Sequence, residues 1–358
     1  MNKVRALVVD DSAYNRAAIS KMLESDGGIE VVGTANDGIE AIAKTLRFKP
    51  DVITLDLEMP NMDGFTFLRW LMKEQPVPVL VLSSRSDRRS VFRAMELGAV
   101  DFLSKPETRI SKSIKVVREE LVKKVHTLVN LEMSKIASTV EILSKKREAP
   151  AVRKEDEALP ERSPVQVVVI ASSTGGPPAI QAILTSRPAE FCSSIVIAQH
   201  MPSGFTRSFA ERLNKLSPLI VSEAATGDSL QPGEALIAPG GFHLTVKKTR
   251  QGLVAELTPP GPSDKYVPSA DKLMQSVADA CGSSALGVVL TGMGKDGVEG
   301  AIAIKRKKGH CLAESETSAV IFGMPQEAIR AGAVDSVLPL SEMAGELTRR
   351  CRPEKAEA

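Results

Sequence analysis

Two groups of residues in this chain have types and positions that can do chemistry. The first is Asp10, Asp11, Asp56, Ser83 and Lys105. Three carboxylates can hold a Mg²⁺, a hard cation that takes oxygen ligands and keeps some of its waters. One of them, Asp56, can attack phosphorus as a carboxylate nucleophile, and an ammonium and a hydroxyl can bond the phosphate oxygens that result. The second group is Ser173, His200 and Asp296. A serine, an imidazole to take its proton and a carboxylate to orient the imidazole are the parts of an acyl-transfer hydrolase. A phosphorylation switch and a hydrolase on one chain suggest an enzyme gated by phosphate.

Residues so far apart in sequence meet only if a scaffold brings them together. Residues 4–9 form a short apolar run that ends at Asp10, and similar runs recur at 30–34, 51–55, 78–82 and 100–103. Helical periodicity lies between them, at 13–25, 37–47 and 64–73. Apolar strands alternating with helices predict a doubly wound α/β fold with a parallel sheet covered on both faces. The five chemical residues then sit at the carboxyl ends of strands, where open α/β sheets build their sites. After Lys105, Ile114, Val117, Leu121, Val125 and Leu128 continue a helical pattern towards Leu143. Residues 144–164 carry charges of both signs, three prolines and no aromatic residue. That composition supports no core and reads as a solvated tether. The expected boundaries are a first domain over 1–125, a helical extension and charged linker over 126–164, and a second domain over 165–350.

The apolar pattern restarts at Val165. Strands are expected at 195–199, 219–222, 235–238, 286–291 and 334–338, with helices at 177–186, 204–215, 270–280, 297–307 and 341–349. The turn-rich stretch 227–258 suggests antiparallel strands, so this domain is also expected to be α/β, mostly parallel with an antiparallel part in a mixed sheet. Ser172-Ser173-Thr174-Gly175-Gly176 falls between a strand and a helix opened by prolines. Backbone N–H groups at such a turn can hold an oxyanion or, equally, a phosphate. Four histidines are available as a base. His126 reads as a helix-surface residue, His310 as a turn residue after Lys-Arg-Lys-Lys-Gly, and His243 as a loop residue. His200 ends an apolar strand and is the best placed. Asp296, in Leu-Thr-Gly-Met-Gly-Lys-Asp-Gly, reads either as a helix N-cap or as the partner of His200.

Bulk properties narrow the classes. A chain of 358 residues with 43% apolar and 25% charged residues suits two globular domains. A net charge of +2, with no compact helix-turn-helix and no basic recognition helix, argues against a DNA-binding output domain and against nucleic acid as a partner. The four cysteines are scattered without CxxC spacing, which fits a reducing compartment. No apolar run reaches the ~18 residues of a membrane span, and no signal peptide precedes the first strand. A cytoplasmic protein without direct membrane insertion is expected.

The run Asp-Val-Ile-Thr-Leu-Asp-Leu-Glu-Met-Pro-Asn-Met-Asp-Gly at 51–64 and the closing Asp-Phe-Leu-Ser-Lys-Pro at 101–106 resemble response-regulator receiver domains of two-component signalling. The resemblance covers 1–125 and implies a flavodoxin-like domain in which Asp56 accepts phosphate from a histidine kinase. It implies that Asp10, Asp11, Asp56 and the backbone carbonyl of Glu58 hold Mg²⁺, and that Ser83, Lys105 and Phe102 take the switch positions. Over 165–345, five segments resemble the catalytic domain of the chemotaxis protein-glutamate methylesterases. They are Ser-Ser-Thr-Gly-Gly-Pro-Pro-Ala-Ile, Gln-His-Met-Pro-Ser-Gly-Phe-Thr-Arg-Ser-Phe-Ala-Glu-Arg-Leu, Ile-Ala-Pro-Gly-Gly-Phe-His, Leu-Thr-Gly-Met-Gly-Lys-Asp-Gly and Phe-Gly-Met-Pro.

This second resemblance implies Ser173 as nucleophile, His200 as base and Asp296 as orienting acid, with the N–H groups of Met293 and Thr174 as oxyanion donors. The family's Gly-Ala-Ser-Thr-Gly-Gly appears here as Ala171-Ser172-Ser173-Thr174-Gly175-Gly176, so Ser172 stands beside Ser173 as a second candidate. The implied activity is phosphorylation-activated hydrolysis of glutamate γ-methyl esters on the cytoplasmic helices of methyl-accepting chemoreceptors, with deamidation of receptor glutamines, in chemotactic adaptation. The implied protein is a monomer and needs no cofactor at the hydrolase site. A non-catalytic adaptor that binds receptor or kinase is the other reading, and it would be marked by loss of Ser173, His200 or Asp296.

Overall fold

The computed structural model describes residues 3–83, 88–105, 111–144, 165–186 and 191–351, with the side chains of 111–114 set aside. Most of the expected tether (145–164), Pro106 and the Ile114 side chain lie outside the described residues. The chain divides into two compact units, Met1–Val140 and Glu141–Ala358.

The first unit alternates strand and helix: β1 (Val4–Val9), α1 (Ala13–Glu24), β2 (Ile29–Ala35), α2 (Gly38–Phe48), β3 (Val52–Leu55), α3 (Gly64–Glu74), β4 (Val79–Ser83), α4 (Arg88–Glu96), β5 (Asp101–Ser104), α5 (Ser111–Leu128) and α6 (Met133–Ser144). The five strands are parallel in the order β2-β1-β3-β4-β5. Side chains of β3 and β4 are buried along their whole length, as a sheet covered on both faces requires. The order reverses between β1 and β3, the point where such a sheet opens a crevice at its carboxyl edge. Helix starts are set by side-chain caps: Ser12, Asp37 and Asp63 accept the N–H groups of Asn15, Glu40 and Thr66. The helical pattern after Lys105 is two helices rather than one. It breaks at Val129–Glu132, where the Asn130 side chain turns back to the carbonyl of His126, 3.5 Å away. Ile136 and Thr139 of α6 are buried, and Ile136 lies beside Gly98, so this part of the helical extension packs within the first unit, which ends at Val140 inside α6.

The second unit runs β6 (Val167–Ser172), α7 (Gly176–Thr185), β7 (Ser194–Gln199), α8 (Phe205–Leu216), β8 (Ile220–Glu223), β9 (Glu234–Ile237), β10 (His243–Thr249), β11 (Gly252–Thr258), α9 (Ala270–Cys281), β12 (Ala285–Val289), α10 (Val298–Arg306), β13 (His310–Glu314), α11 (Met324–Arg330), β14 (Ser336–Leu338) and α12 (Leu340–Arg350). Seven of these strands form one sheet in the order β14-β13-β12-β6-β7-β9-β8. Every pairing in it is parallel, which corrects the expected mixed sheet. The antiparallel part exists as a separate hairpin, β10-β11, which packs its apolar face under α9. Strand β6 is the centre. The chain winds outward from it through β7, then returns to add β12 on its other side, so the switch point of this sheet lies between β6 and β12. Two histidine readings change. His310 is the first residue of β13, not a turn residue, and His243 is the fully buried first residue of β10, not a loop residue.

Candidate functional site

At the switch point of the first sheet, Asp10 follows β1 and Asp56 follows β3. Carboxylate oxygens of Asp10, Asp11 and Asp56 all lie within 4.8 Å of one another. Asp10 is fully buried and Asp56 nearly so, while Asp11 is exposed. Lys105 reaches both buried carboxylates, 2.8 Å from Asp10 and 2.6 Å from Asp56. Burial raises the Asp56 carboxyl above its usual range despite the Lys105 ammonium, with the Asp10 charge adding to the rise. Burial disfavours the charged Lys105, but its bonds to Asp10 and Asp56 prevail and hold it protonated to higher pH. The peptide behind the acceptor is tightly constrained: a Cβ on Gly64 would collide with the Asp56 carbonyl oxygen. Ser83 closes β4 and is buried. Phe102, in β5, is buried with its ring edge-on to Phe92 of α4 at 6.5 Å. Glu58 follows Asp56 by two residues, and its backbone N–H works against the rise of the Asp56 carboxyl.

In the second unit the neighbouring strands β12, β6 and β7 each deliver one candidate. Ser173 comes directly after β6 and His200 directly after β7, and the N–H of His200 donates to the carbonyl of Ser172 at 3.0 Å. Ser173 is half-buried, and its N–H donates to the Thr291 carbonyl at 3.1 Å, which ties it to the loop after β12. Ser172 is different. Its side chain is fully buried and its hydroxyl donates to Gln199 Oε1 at 2.7 Å. The Gln199 amide in turn donates to the carbonyls of Ser173 and His200, at 2.9 and 3.0 Å. One buried amide thus links the two strand ends that carry the serine and the imidazole.

Asp296 sits in the loop after β12, 3% exposed. Its Oδ2 accepts His200 Nε2 at 2.8 Å and the N–H of Ala270 at 2.7 Å. Its Oδ1 accepts the Ser269 hydroxyl and the N–H of Asp271, both at 3.0 Å. Gly297, not Asp296, caps α10; Asp296 instead lies across the N-terminus of α9. That end of a helix offers unpaired N–H groups and a positive dipole end. Burial alone would raise this carboxyl, yet the bonds from His200 and from the helix start outweigh it and hold it below the usual range. Next to it Asp271 accepts the N–H groups of Gly297 and Gly300, and burial together with the Asp296 charge pushes its carboxyl up to about 6. With Nε2 bonded to Asp296, Nδ1 is the nitrogen of His200 left for the serine side. Thr174 is buried beside Ser173, and Met293 follows Gly292, whose backbone lies so close to Ser173 that a Cβ would meet it at 2.9 Å.

Comparison with known proteins finds a family match for each part of the chain. The family model described as CheB methylesterase matches residues 168–347, and that described as response regulator receiver domain matches residues 6–115. A protein-glutamate methylesterase/protein-glutamine glutaminase of Geobacter sulfurreducens is 49% identical over 98% of both chains. One from Myxococcus xanthus is 45% identical over 98% of this chain and 97% of its own. The chain belongs to the CheB methylesterase family. The crystal structure of the Thermotoga maritima CheB methylesterase catalytic domain covers 51% of this chain and 97% of its own, with a TM-score of 0.50 and 40% identity.

Within this CheB-type domain the structure adds residues that motif reading missed. Tyr266 stacks on His200, rings 4.8 Å apart and 8° from parallel, with its hydroxyl against Gly294. Its only signal was rarity, since the chain has two tyrosines. Gln199 could have been noticed as a polar side chain closing an apolar strand just before a histidine. Ser269 is the cap of α9, a recognisable Ser before a helical pattern, but its bond to Asp296 spans 27 residues and leaves no local trace. Glu314, at the end of β13, is buried and accepts the N–H of Thr291 and the Ser318 hydroxyl, both at 2.9 Å.

Proposed function

We propose that this chain hydrolyses glutamate γ-methyl esters on the cytoplasmic helices of chemoreceptors, deamidates receptor glutamines by the same route, and does so faster when Asp56 is phosphorylated. The observation that carries the reading is the His200–Asp296 bond at 2.8 Å, with His200 tied by its N–H to the carbonyl of Ser172, the neighbour of Ser173. Near full-length identity to named methylesterase/glutaminases supports it.

Ser173 attacks the ester carbonyl while His200 Nδ1 takes its proton. Asp296, kept ionised by its bonds from His200 and the α9 N–H groups, balances the imidazolium that forms. The N–H groups of Met293 and Thr174 receive the developing oxyanion. His200 gives the serine proton to the departing methoxide oxygen, which leaves as methanol, or to the amide nitrogen of a glutamine, which leaves as ammonia. It then draws a proton from the water that attacks the acyl-serine, and passes that proton to the Ser173 oxygen as the glutamate product leaves.

In the receiver, Asp56 is the phosphate acceptor. Asp10, Asp11, Asp56 and the Glu58 carbonyl form an all-oxygen donor set that suits Mg²⁺, which when bound would neutralise charge on the incoming phosphoryl group. Lys105, already on Asp10 and Asp56, can turn to the phosphate, and Ser83 can donate to another of its oxygens. Phe102 takes the aromatic switch position. The phosphodonor is a chemotaxis histidine kinase, and the protein acts in the cytoplasm as a monomer. No helix among the described residues is long and apolar enough to cross a membrane.

The test is methanol release from a methylated chemoreceptor cytoplasmic fragment, with Mg²⁺ and acetyl phosphate. Wild type is expected to release methanol and Ser173→Ala not to. Asp56→Asn is expected to remain at the unstimulated rate. Equal release by wild type and Ser173→Ala would remove Ser173 from the mechanism.

A further inference from the structure

The segment from Asp264 to Ser269 is the one that lays Tyr266 on the catalytic imidazole, and a single buried side chain touches both of its ends. His243 is fully buried. Its Nδ1 accepts the N–H of Ser269 at 3.2 Å. That nitrogen therefore carries no proton, the ring proton is on Nε2, and Nε2 donates to Asp264 Oδ2 at 2.8 Å. Asp264 is fixed further by Lys272, whose ammonium is 2.8 Å from each of its oxygens, and by the N–H of Gly261 at 2.8 Å. Bonds to Lys272, Gly261 and His243 hold its carboxyl far below the usual range, so the acceptor for Nε2–H stays ionised.

Both ends lead to the reaction. Ser269, held by its N–H on His243, passes its own hydroxyl to Asp296 Oδ1 at 3.0 Å. It also caps α9, whose first two N–H groups are the other donors to Asp296. Tyr266, midway along the segment, lies parallel to His200. We propose that His243 is a positioning residue: its neutral imidazole clips the two ends of the 264–269 segment, and so fixes both the Tyr266 ring against His200 and the Ser269 hydroxyl on Asp296. The proposal deepens the hydrolase reading and rests on it. His243 touches neither Asp296 nor the reacting atoms in this assignment. It acts through Ser269 and Tyr266, with β10 as the rigid element that carries it.

Three readings on the full chain test it, two of them independent of substrate. First, ¹⁵N–¹H correlation of the imidazoles in the wild type is expected to give His243 as the Nε2–H tautomer at neutral pH. An Nδ1–H tautomer or a doubly protonated ring would overturn the clip. Second, the His200 ring protons feel Tyr266. In His243→Ala they are expected to move to the positions they take in Tyr266→Ala; unchanged shifts in a folded His243→Ala would overturn it. Third, on the methylated receptor fragment His243→Ala is expected to lower kcat by about 10- to 100-fold with little change in KM, as misplacement of a catalytic group does. A folded variant with wild-type kcat would overturn it. Should His243→Ala not fold, Asp264→Ala opens the clip from the Nε2 side and carries the same expectations. If the wild type itself released no methanol, the proposed function would fail, while the first two readings would still decide the clip.

Discussion

The hydroxyl of Ser172 is committed inside the protein, donated to Gln199, whereas Ser173 one position later is half-buried at the mouth of the same strand. Spacing could not separate the two, because strand alternation points neighbours to opposite faces but does not say which face holds a partner. Burial and hydrogen bonding favour Ser173. Ser173→Ala is expected to cut methanol release by about 10³-fold or more. Ser172→Ala is expected to stay within about tenfold of wild type while losing about 1–2 kcal/mol of stability, since a buried Gln199 oxygen is left without its donor. Rates and denaturant midpoints measured side by side check both. A second prediction concerns Gly294, which has φ +98 and a backbone that abuts the Tyr266 hydroxyl. Gly294→Ala is expected to cost about 1–2 kcal/mol of backbone strain and to push Tyr266 off His200, lowering kcat. Tyr266→Phe in the same chain removes the colliding oxygen and is expected to restore part of the rate, a coupling that a double-mutant cycle measures.

At the scale of elements, strands with continuous apolar runs were readable directly, and so were helices with a regular apolar period. Strand β13 was not. It offers only Cys-Leu-Ala between a basic turn and Glu314, and its burial comes from lying between β12 and β14 rather than from its own pattern. The hairpin β10-β11 was seen as antiparallel, but whether it joins the main sheet is decided by tertiary packing on α9. Of the site, the acceptor cluster and the triad candidates were legible as strand-end residues. The supports on Asp296 were not, because they come from a helix start 26 residues away. Glu314 shows what this invisibility costs. Full burial pushes its carboxyl up to about 7 from an ordinary 4.5, with the bonds from Thr291 and Ser318 opposing. An acid raised in this way holds its proton longer folded than unfolded. Its ionisation therefore removes stability as pH climbs from about 4.5 to about 7 and changes nothing further above that. The effect is at most roughly 3 kcal/mol. Glu314→Gln is expected to gain on wild type across that window and run parallel to it at higher pH, as urea unfolding at several pH values would reveal. A constant difference would mean that Glu314 does not titrate there.

On the scale of the whole molecule, both units place their chemistry at the point where strand order reverses, β1 against β3 in one and β6 against β12 in the other. The two sites call on different chemistry and should separate cleanly. Chelation by EDTA is expected to abolish acetyl-phosphate labelling of Asp56 and the stimulation that follows, yet to leave unstimulated methanol release in place. Loss of basal release on chelation would mean that the triad does not act without metal. The central position of β6 has one more consequence, and it concerns synthesis. Strand β6 emerges from the ribosome early in its domain, but its partner β12 follows more than a hundred residues later. At about 5–20 residues per second, the apolar run Val167–Ala171 waits on the order of ten seconds with one edge unpaired. During that interval the nascent chain presents an apolar strand edge and no complete triad, so the same topology that completes the triad only when the domain is finished also leaves that edge open to pairing with other chains.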